Sequence, residues 1–225
     1  MDDSIPQLTA TEVRVLGSLI EKAVTTPDYY PLSLNALTNA CNQLTNREPV
    51  MSLDDGVVSR AVDSLREKRF ATSFHGAESR VAKFKHTLTD AILLTPAEVA
   101  VLCVLFLRGP QTIGELRTRG ERFFPFEALT EVEETLQGLA TRTPEALVVK
   151  LPRQPGMKEP RYTHLLSGAI ETATPTAAPA PVDAAASSIS PESARIAALE
   201  AEAATLRGEF AELQRQFAEF RKQFE

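Results

Sequence analysis

LTATEVRVLGSLIEK, residues 8–22, recurs as LTPAEVAVLCVLFLR, residues 94–108, and this internal repeat is the strongest indication of the fold. Seven positions are identical, and they include a Thr with a Glu three residues later. In this pattern the Thr oxygen and the Glu carboxylate each accept a hydrogen bond from an otherwise unpaired backbone N–H at a helix start. Apolar residues then recur at helical spacing. The two stretches therefore predict two equivalent helices, which begin after Thr9 and Thr95.

The residues that follow each predicted first helix also run in parallel. Each unit continues with a short second helix, a third helix and two strand-like segments. In the first unit these fall near 33–42, 53–68, 70–74 and 81–85, and in the second near 112–120, 129–141, 147–151 and 161–164. Three helices followed by a β-hairpin is the order of a winged helix-turn-helix. The sequence thus predicts a mainly α fold with small β-hairpins (α+β), as two tandem winged helix-turn-helix domains at 6–92 and 93–168.

A different composition begins after residue 168. Residues 169–191 are rich in Ala, Pro, Thr and Ser, which indicates an extended linker. Residues 192–225 carry apolar side chains at alternating spacings of three and four, which predicts a coiled-coil helix. A single helix would leave this stripe in water, so we expect a homo-oligomer, most simply a parallel dimer. A larger oligomer, or docking of the helix onto the protein's own body, are the alternatives. The stripe comprises Ile196, Leu199, Leu206, Phe210, Leu213, Phe217, Phe220 and Phe224.

The composition is that of a globular protein, with 43% hydrophobic and 24% charged residues in 225. No apolar run reaches the roughly 18 residues that a membrane helix needs, and the first residues, MDDSIPQL, are acidic where a signal peptide would be basic. A cytoplasmic location is the expectation, without membrane contact. Cys41 and Cys103 lie in apolar surroundings and are expected to be buried free thiols.

Three further stretches resemble the YceH-like family. They are TTPDYYPLSLNALTNACNQLTNREPVM at 25–51, LRGPQTIGELRTR at 107–119 and EPRYTHLLSG at 159–168. The resemblance covers about residues 6–168. It implies a bacterial protein of tandem winged-helix units, in a cytosolic setting and without an assigned activity or catalytic residue.

The polar stretch ACNQLTNREPV, at 40–50, falls between the predicted second and third helices, where a helix-turn-helix usually has three to four residues. Two roles are open for it. Asn42, Asn46 and Arg47 can tie down an enlarged loop, because Asn side chains readily bond nearby backbone groups. Alternatively, Arg47 faces outward and contacts a phosphate or a partner chain. The second unit has a comparable basic turn with Arg117, Arg119 and Arg122.

Charge is unevenly distributed along the chain. Residues 1–92 carry 10 basic and 12 acidic groups, residues 93–170 carry 9 and 9, and residues 171–225 carry 5 and 9. A domain that binds DNA usually presents a basic face. Basic residues cluster at the end of the first unit's third helix and in its hairpin. This cluster is either a DNA-binding face or an ordinary solvated hairpin. The candidate contacts to nucleic acid or a partner are Arg47, Arg60, Arg66, Lys68, Arg69, Arg80, Lys83 and Lys85.

The predicted third helices are poorly suited to reading bases, although this element normally enters the major groove. The first begins with Asp54 and Asp55, and the second carries Glu131, Glu133 and Glu134. The negative charges of these side chains are repelled by the phosphates of DNA. We therefore expect any DNA binding to be weak, salt-sensitive and centred on the first hairpin.

Enzymatic function is not expected. His75, His86 and His164 lack the close spacing of a metal site or catalytic dyad, and no Gly-rich phosphate loop, HExxH or CxxC pair occurs. We expect no cofactor. Two hypotheses remain: a DNA-binding or transcription-associated protein, and a protein-protein interaction module of a bacterial assembly, since fold alone does not establish function.

Overall fold

The computed structural model describes residues 5–74, 81–153, 156–157 and 159–168. The chain divides into two units, Met1–Ala173 and Thr174–Glu225, and all described residues belong to the first. The predicted linker and coiled-coil helix lie outside the described residues. Within the described ranges, no helix is long and apolar enough to cross a membrane.

The described residues form a mixed α+β structure of helices and small antiparallel sheets. The first half contains α1 (Ala10–Thr25), a short 3-10 helix (Pro27–Tyr29), β1 (Leu32–Ser33), α2 (Leu34–Cys41), α3 (Asp55–Glu67), β2 (Ala71–Phe74), β3 (Lys83–His86) and α4 (Leu88–Ala91). The second half contains α5 (Pro96–Arg108), α6 (Ile113–Gly120), α7 (Leu129–Ala140), β4 (Val148–Lys150) and β5 (Tyr162–His164).

Helix starts follow the predicted chemistry. In α1, Thr9 Oγ1 accepts from Glu12 N at 3.3 Å, and Glu12 Oε2 accepts from Thr9 N at 2.6 Å. Thr95 and Glu98 form the same reciprocal pair at α5, where Pro96 occupies the first helical turn. The six predicted helices and four predicted strands are confirmed to within three residues at each end.

The sheets are small and antiparallel. In the first, β3 lies between β1 and β2, with Lys83 opposite Phe74 and Lys85 opposite Thr72. In the second, β4 pairs with β5. Because alternate residues of a strand face opposite sides, Lys83 and Lys85 share one face while Phe84, which is buried, faces the core.

The two halves share one hydrophobic core, in which α1 packs against α5. Gly17 lies at this crossing, and a Cβ placed there would meet Leu107 Cδ2 and Phe106 Cβ, both at 3.0 Å. The repeated sequences therefore fold into two helices that pack against each other. Cys41 and Cys103 are confirmed as buried free cysteines.

The described segments at the two edges of this body also meet. The N–H of Leu8, just before α1, donates to the carbonyl of Leu166, just after β5, at 2.6 Å.

Candidate nucleic-acid interface

Two lysines project from the first hairpin, which is formed by β2 and β3. Lys85 is exposed and Lys83 half-buried, and neither forms an ion pair with any described residue. Their same-face neighbour Phe74 is 53% exposed. The predicted third cation of this hairpin, Arg80, lies outside the described residues. The hairpin thus offers two ammonium groups on one side, beside an exposed aromatic ring.

A second group of cations surrounds the end of α3. Arg69 is exposed, with a positive φ of 62°, and forms no ion pair with a described residue. Arg66 is paired with Asp63 at 2.9 Å on the helix surface. Together with Lys68, these arginines line an open cleft of about 680 Å³ that also includes Thr72 of the hairpin.

Lys68 differs from Arg69, because its ammonium group is bound by other residues of the protein. Its Nζ donates to Glu12 Oε1 at 2.6 Å and to the carbonyl of Gln7 at 2.9 Å. Burial alone would raise the pKa of Glu12, but hydrogen bonds from Lys68, Ser64 and Thr9 outweigh it and lower that pKa to about 2. Lys68 therefore holds the start of α1 to the end of α3.

Arg60 lies on the outward side of α3, where it is exposed and forms no ion pair with a described residue. The structure thus places Arg60, Arg69, Lys83 and Lys85 at the surface without a carboxylate partner in the described part of the chain.

Arg47 is buried and lies away from this group. Only 5% of the residue is exposed, and its guanidinium donates to both carboxylate oxygens of Glu21, with one of these distances 3.2 Å. It also donates to the carbonyls of Ala40 and Asn46 and to Gln43 Oε1. These are the contacts of a residue that ties down the loop at 42–54, and they use the guanidinium donors that an outward contact with a phosphate would need.

Asn42 closes the same loop from its two ends. Its side-chain amide donates to the carbonyl of Leu53 and accepts from the N–H of Leu53, both at 2.8 Å. Asn46 has a positive φ of 61°, a conformation that Asn adopts more readily than most residues, and accepts from Arg108. The polar stretch at 40–50 therefore supplies the bonds that hold this loop.

Two charged residues of α1 were missed by the sequence analysis. Arg14 is 1% exposed and donates to the carbonyls of Cys41 and Pro49 at 3.0 and 2.6 Å. Glu21 is also 1% exposed and binds both Arg47 and Arg122. Burial would raise the pKa of Glu21, but the hydrogen bond from Arg47 and the nearby positive charges lower it. The sequence carried a signal of this burial, because Arg14 and Glu21 lie two turns apart in α1. They stand where the second copy of the repeat has Ala100 and Leu107.

Acidic side chains cover the exposed side of α7. Glu133 and Glu134 are exposed, and Glu131 accepts from the N–H of Glu127 at 3.0 Å. At the start of α3, Asp54 caps the helix by accepting from Val57 N at 2.8 Å, and Asp55 is exposed. Both third helices therefore present carboxylates where a DNA-reading helix would present donors.

The described cysteines and histidines, Cys41, Cys103, His86 and His164, each lie in a different helix or strand. Among the described residues, no three His, Cys, Asp or Glu side chains are placed to hold a metal ion. Burial raises the pKa of Cys41 and of Cys103, which keeps both as thiols. Burial lowers the pKa of His86, and it lowers that of His164 to about 4, while His75 lies outside the described residues.

Comparison with known proteins agrees with the YceH-like resemblance. A family model described as "Protein of unknown function, DUF480" matches residues 8–157. A UPF0502 protein of Opitutus terrae is 54% identical over 184 residues, which are 81% of this chain and 80% of that protein. A UPF0502 protein of Citrifermentans bemidjiense is 61% identical over 161 residues, which are 72% of this chain and 74% of that protein. A UPF0502 protein of Geotalea daltonii is 58% identical over 172 residues, which are 76% of this chain and 78% of that protein. The chain belongs to the DUF480 (UPF0502) family.

Proposed function

We propose that the protein is a non-enzymatic, DNA-binding or transcription-associated regulator made of two tandem winged helix-turn-helix domains. It contacts duplex phosphates through the first hairpin and is oligomerised by its C-terminal helix. The observation that carries the proposal is the placement of Lys83 and Lys85 on one face of the hairpin, without a carboxylate partner among the described residues.

The order of elements supports the winged-helix interpretation. Each half has three helices followed by an antiparallel hairpin, although the loops before the third helices, 42–54 and 121–128, are longer than the usual turn of three to four residues. In such a domain the hairpin is the wing, which lies against the DNA backbone beside the third helix. Arg60 and Arg69 extend the positive charge of the wing along α3.

The charge distribution sets the expected strength of binding. About four cations are available, and neutralising four phosphates makes affinity fall about a hundredfold between 50 and 200 mM salt. The carboxylates on both third helices oppose base contacts, and phosphate contacts alone carry no sequence information. We therefore propose weak binding with little sequence preference.

The test uses a labelled duplex of mixed sequence and fluorescence anisotropy at 50 and 200 mM salt. We expect the triple variant Arg80→Ala, Lys83→Ala, Lys85→Ala to weaken binding at 50 mM at least tenfold, with a shallower salt dependence. The matched control removes the same charge from the second hairpin, as Lys150→Ala, Arg153→Ala, Lys158→Ala, and should bind like the parent protein. Equal loss in both variants, or unchanged binding by the first, would refute a contact centred on the first hairpin.

A protein-interaction module is the second candidate. The specific observation in its favour is the exposed acidic side of α7, which repels nucleic acid but suits a basic protein surface. Lack of duplex binding even at 50 mM salt would favour this candidate over the first.

A further inference from the structure

Three arginines from the second half of the described chain line one open cleft. Arg108 is the last residue of α5, Arg119 lies in α6, and Arg122 follows α6 by two residues. The cleft has a volume of about 410 Å³, and Asn46, Thr118 and Glu121 complete its lining. We call it the arginine cleft. It lies at the loop 42–54 and not at the first hairpin, so it is separate from the interface proposed above.

The arginine cleft has more positive than negative charge. Arg122 is paired with the buried Glu21. Arg119 lies 3.5 Å from Glu115, a carboxylate that Arg161 also approaches at 3.2 Å. Glu115 is thus shared by Arg119 and Arg161. Glu21 is shared in the same way by Arg122 and Arg47.

Arg108 has no carboxylate partner among the described residues. Its guanidinium donates to the neutral side chain of Asn46. Burial lowers the pKa of Arg108 and the positive charges of Arg119 and Arg122 lower it further, while the nearby carboxylate of Glu48 opposes this shift. An anion in the cleft would relieve this repulsion and would take up donors of Arg108 that no described carboxylate uses.

The geometry favours an oxyanion that can accept from several guanidinium donors at once. A guanidinium presents donors in a rigid fork that matches two oxygens of a phosphate, and such charge-assisted bonds are about twice as strong as neutral ones. The arginines come from the ends of packed helices, and Arg119 is further held by Gln111, which is fully buried. The cleft therefore presents its donors without first having to order them.

The surroundings of Arg108 indicate what the anion is attached to. Arg108 also lines a neighbouring cleft of about 380 Å³, whose walls combine the apolar side chains of Pro49, Pro110 and Leu151 with the charged side chains of Glu48, Glu159 and Arg161. A ligand with its anionic group on Arg108 has space there for an apolar body. We propose that the arginine cleft binds a small organic phosphate monoester, with Arg108 and Arg119 as its main ligands and the apolar part of the molecule against the neighbouring cleft.

The probe is phenyl phosphate, which combines a dianionic phosphate with an apolar ring. Isothermal titration of the full chain, without DNA, should give saturable binding, and the ligand should raise the melting temperature as its concentration increases. Inorganic phosphate, which lacks the ring, and benzoate, which lacks the phosphate, should each bind at least tenfold more weakly than phenyl phosphate.

The variants Arg108→Gln and Arg119→Gln should each weaken phenyl phosphate binding about tenfold or more, the loss expected for one charge-assisted hydrogen bond. Arg108→Lys keeps the charge but not the fork and should give an intermediate loss. Arg117→Gln is the matched control, because Arg117 lies on the same helix as Arg119 but donates to the carbonyls of Phe126 and Glu127, away from the cleft. Circular dichroism and melting curves without ligand establish that each variant is folded.

The proposal is overturned if phenyl phosphate does not bind, if Arg117→Gln weakens it as much as Arg108→Gln, or if benzoate binds equally well. It is also overturned if Arg108→Gln weakens duplex DNA binding while leaving phenyl phosphate binding unchanged, since the cleft would then be part of a nucleic-acid surface. Because phenyl phosphate is titrated without DNA, failure here leaves the DNA-binding proposal unaffected, and the reverse also holds.

Discussion

Glu21 is a buried carboxylate that binds two arginines from distant parts of the described chain. It accepts from Arg47 of the loop at 42–54 and from Arg122 beyond α6, and it is almost fully buried. Taking such ions out of water is costly, and the cost is offset only while each charge keeps its partners. Removing Arg47 would leave the buried Glu21 with Arg122 alone, so its charge would be only partly compensated.

Arg47→Ala should lower the free energy of unfolding by about 3–5 kcal/mol, the loss typical of a broken buried ion pair. Urea titration monitored by circular dichroism measures it. Arg60→Ala is the control, because Arg60 is exposed and without an ion pair in the described residues, and it should change stability by no more than about 0.5 kcal/mol. An Arg47→Ala protein as stable as the parent would show that the loop does not depend on this residue.

His164 should make the folded state sensitive to mild acid. Its ring packs edge-on against Phe106 at 5.0 Å, its Nδ1 is buried without a partner in the described residues, and burial lowers its pKa to about 4. An unfolded chain protonates this histidine near pH 6.5, whereas the folded one does not. Stability should therefore fall as the pH drops from 7 to 5, by about 2 kcal/mol from this residue alone.

His164→Phe tests this expectation, since Phe keeps an aromatic ring but does not titrate. The variant should lose less stability between pH 7 and 5 than the parent does, as measured by urea titration at each pH. Glu12, whose pKa is lowered to about 2, contributes only below about pH 4.5 and does not affect this window. Identical pH dependence in the two proteins would mean that His164 is not the group responsible.

At the level of elements, the contact between α1 and α5 depends on a missing side chain. A Cβ at Gly17 would lie 3.0 Å from atoms of Phe106 and Leu107, closer than side chains normally pack. Gly17→Leu should therefore destabilise the protein by about 1–3 kcal/mol, through overpacking. Thermal melting followed by circular dichroism measures the loss.

Gly138→Leu is the matched control for that substitution. Gly138 is exposed on α7, and a Cβ there would meet only Glu98 Oε1 at 3.8 Å. Because Leu is a better helix former than Gly, this variant should be as stable as the parent or more so. A Gly17→Leu protein that melts like the control would contradict the tight crossing.

The elements that could be predicted are those with local signals. Helix starts were readable because Thr9 and Thr95 cap their helices with residues only three positions away. In contrast, the two residues of β1 are a strand only because they pair with β3, some fifty positions later, and no local pattern carries that information. The burial of Arg14 and Glu21 escaped prediction for the same reason, since their partners come from the end of α2, from the loop at 42–54 and from beyond α6.

At the level of the whole molecule, the apolar stripe in residues 192–225 predicts an oligomer. Each large side chain that a partner helix fully buries contributes about 1.5–3 kcal/mol relative to exposure in water. A chain that ends at Ser190 should therefore sediment as a monomer while the full chain sediments as an oligomer. Equal masses per particle for the two proteins would show that this segment does not hold subunits together.

The hydrogen bond between Leu8 and Leu166 makes the folded body nearly a closed ring of chain. A short linker would join these two segments covalently. New chain ends would then be opened in the connection at Leu93, which is 83% exposed. The second copy of the repeat would then be synthesised first and the first copy second. We therefore expect this fold to form with the two copies in either linear order.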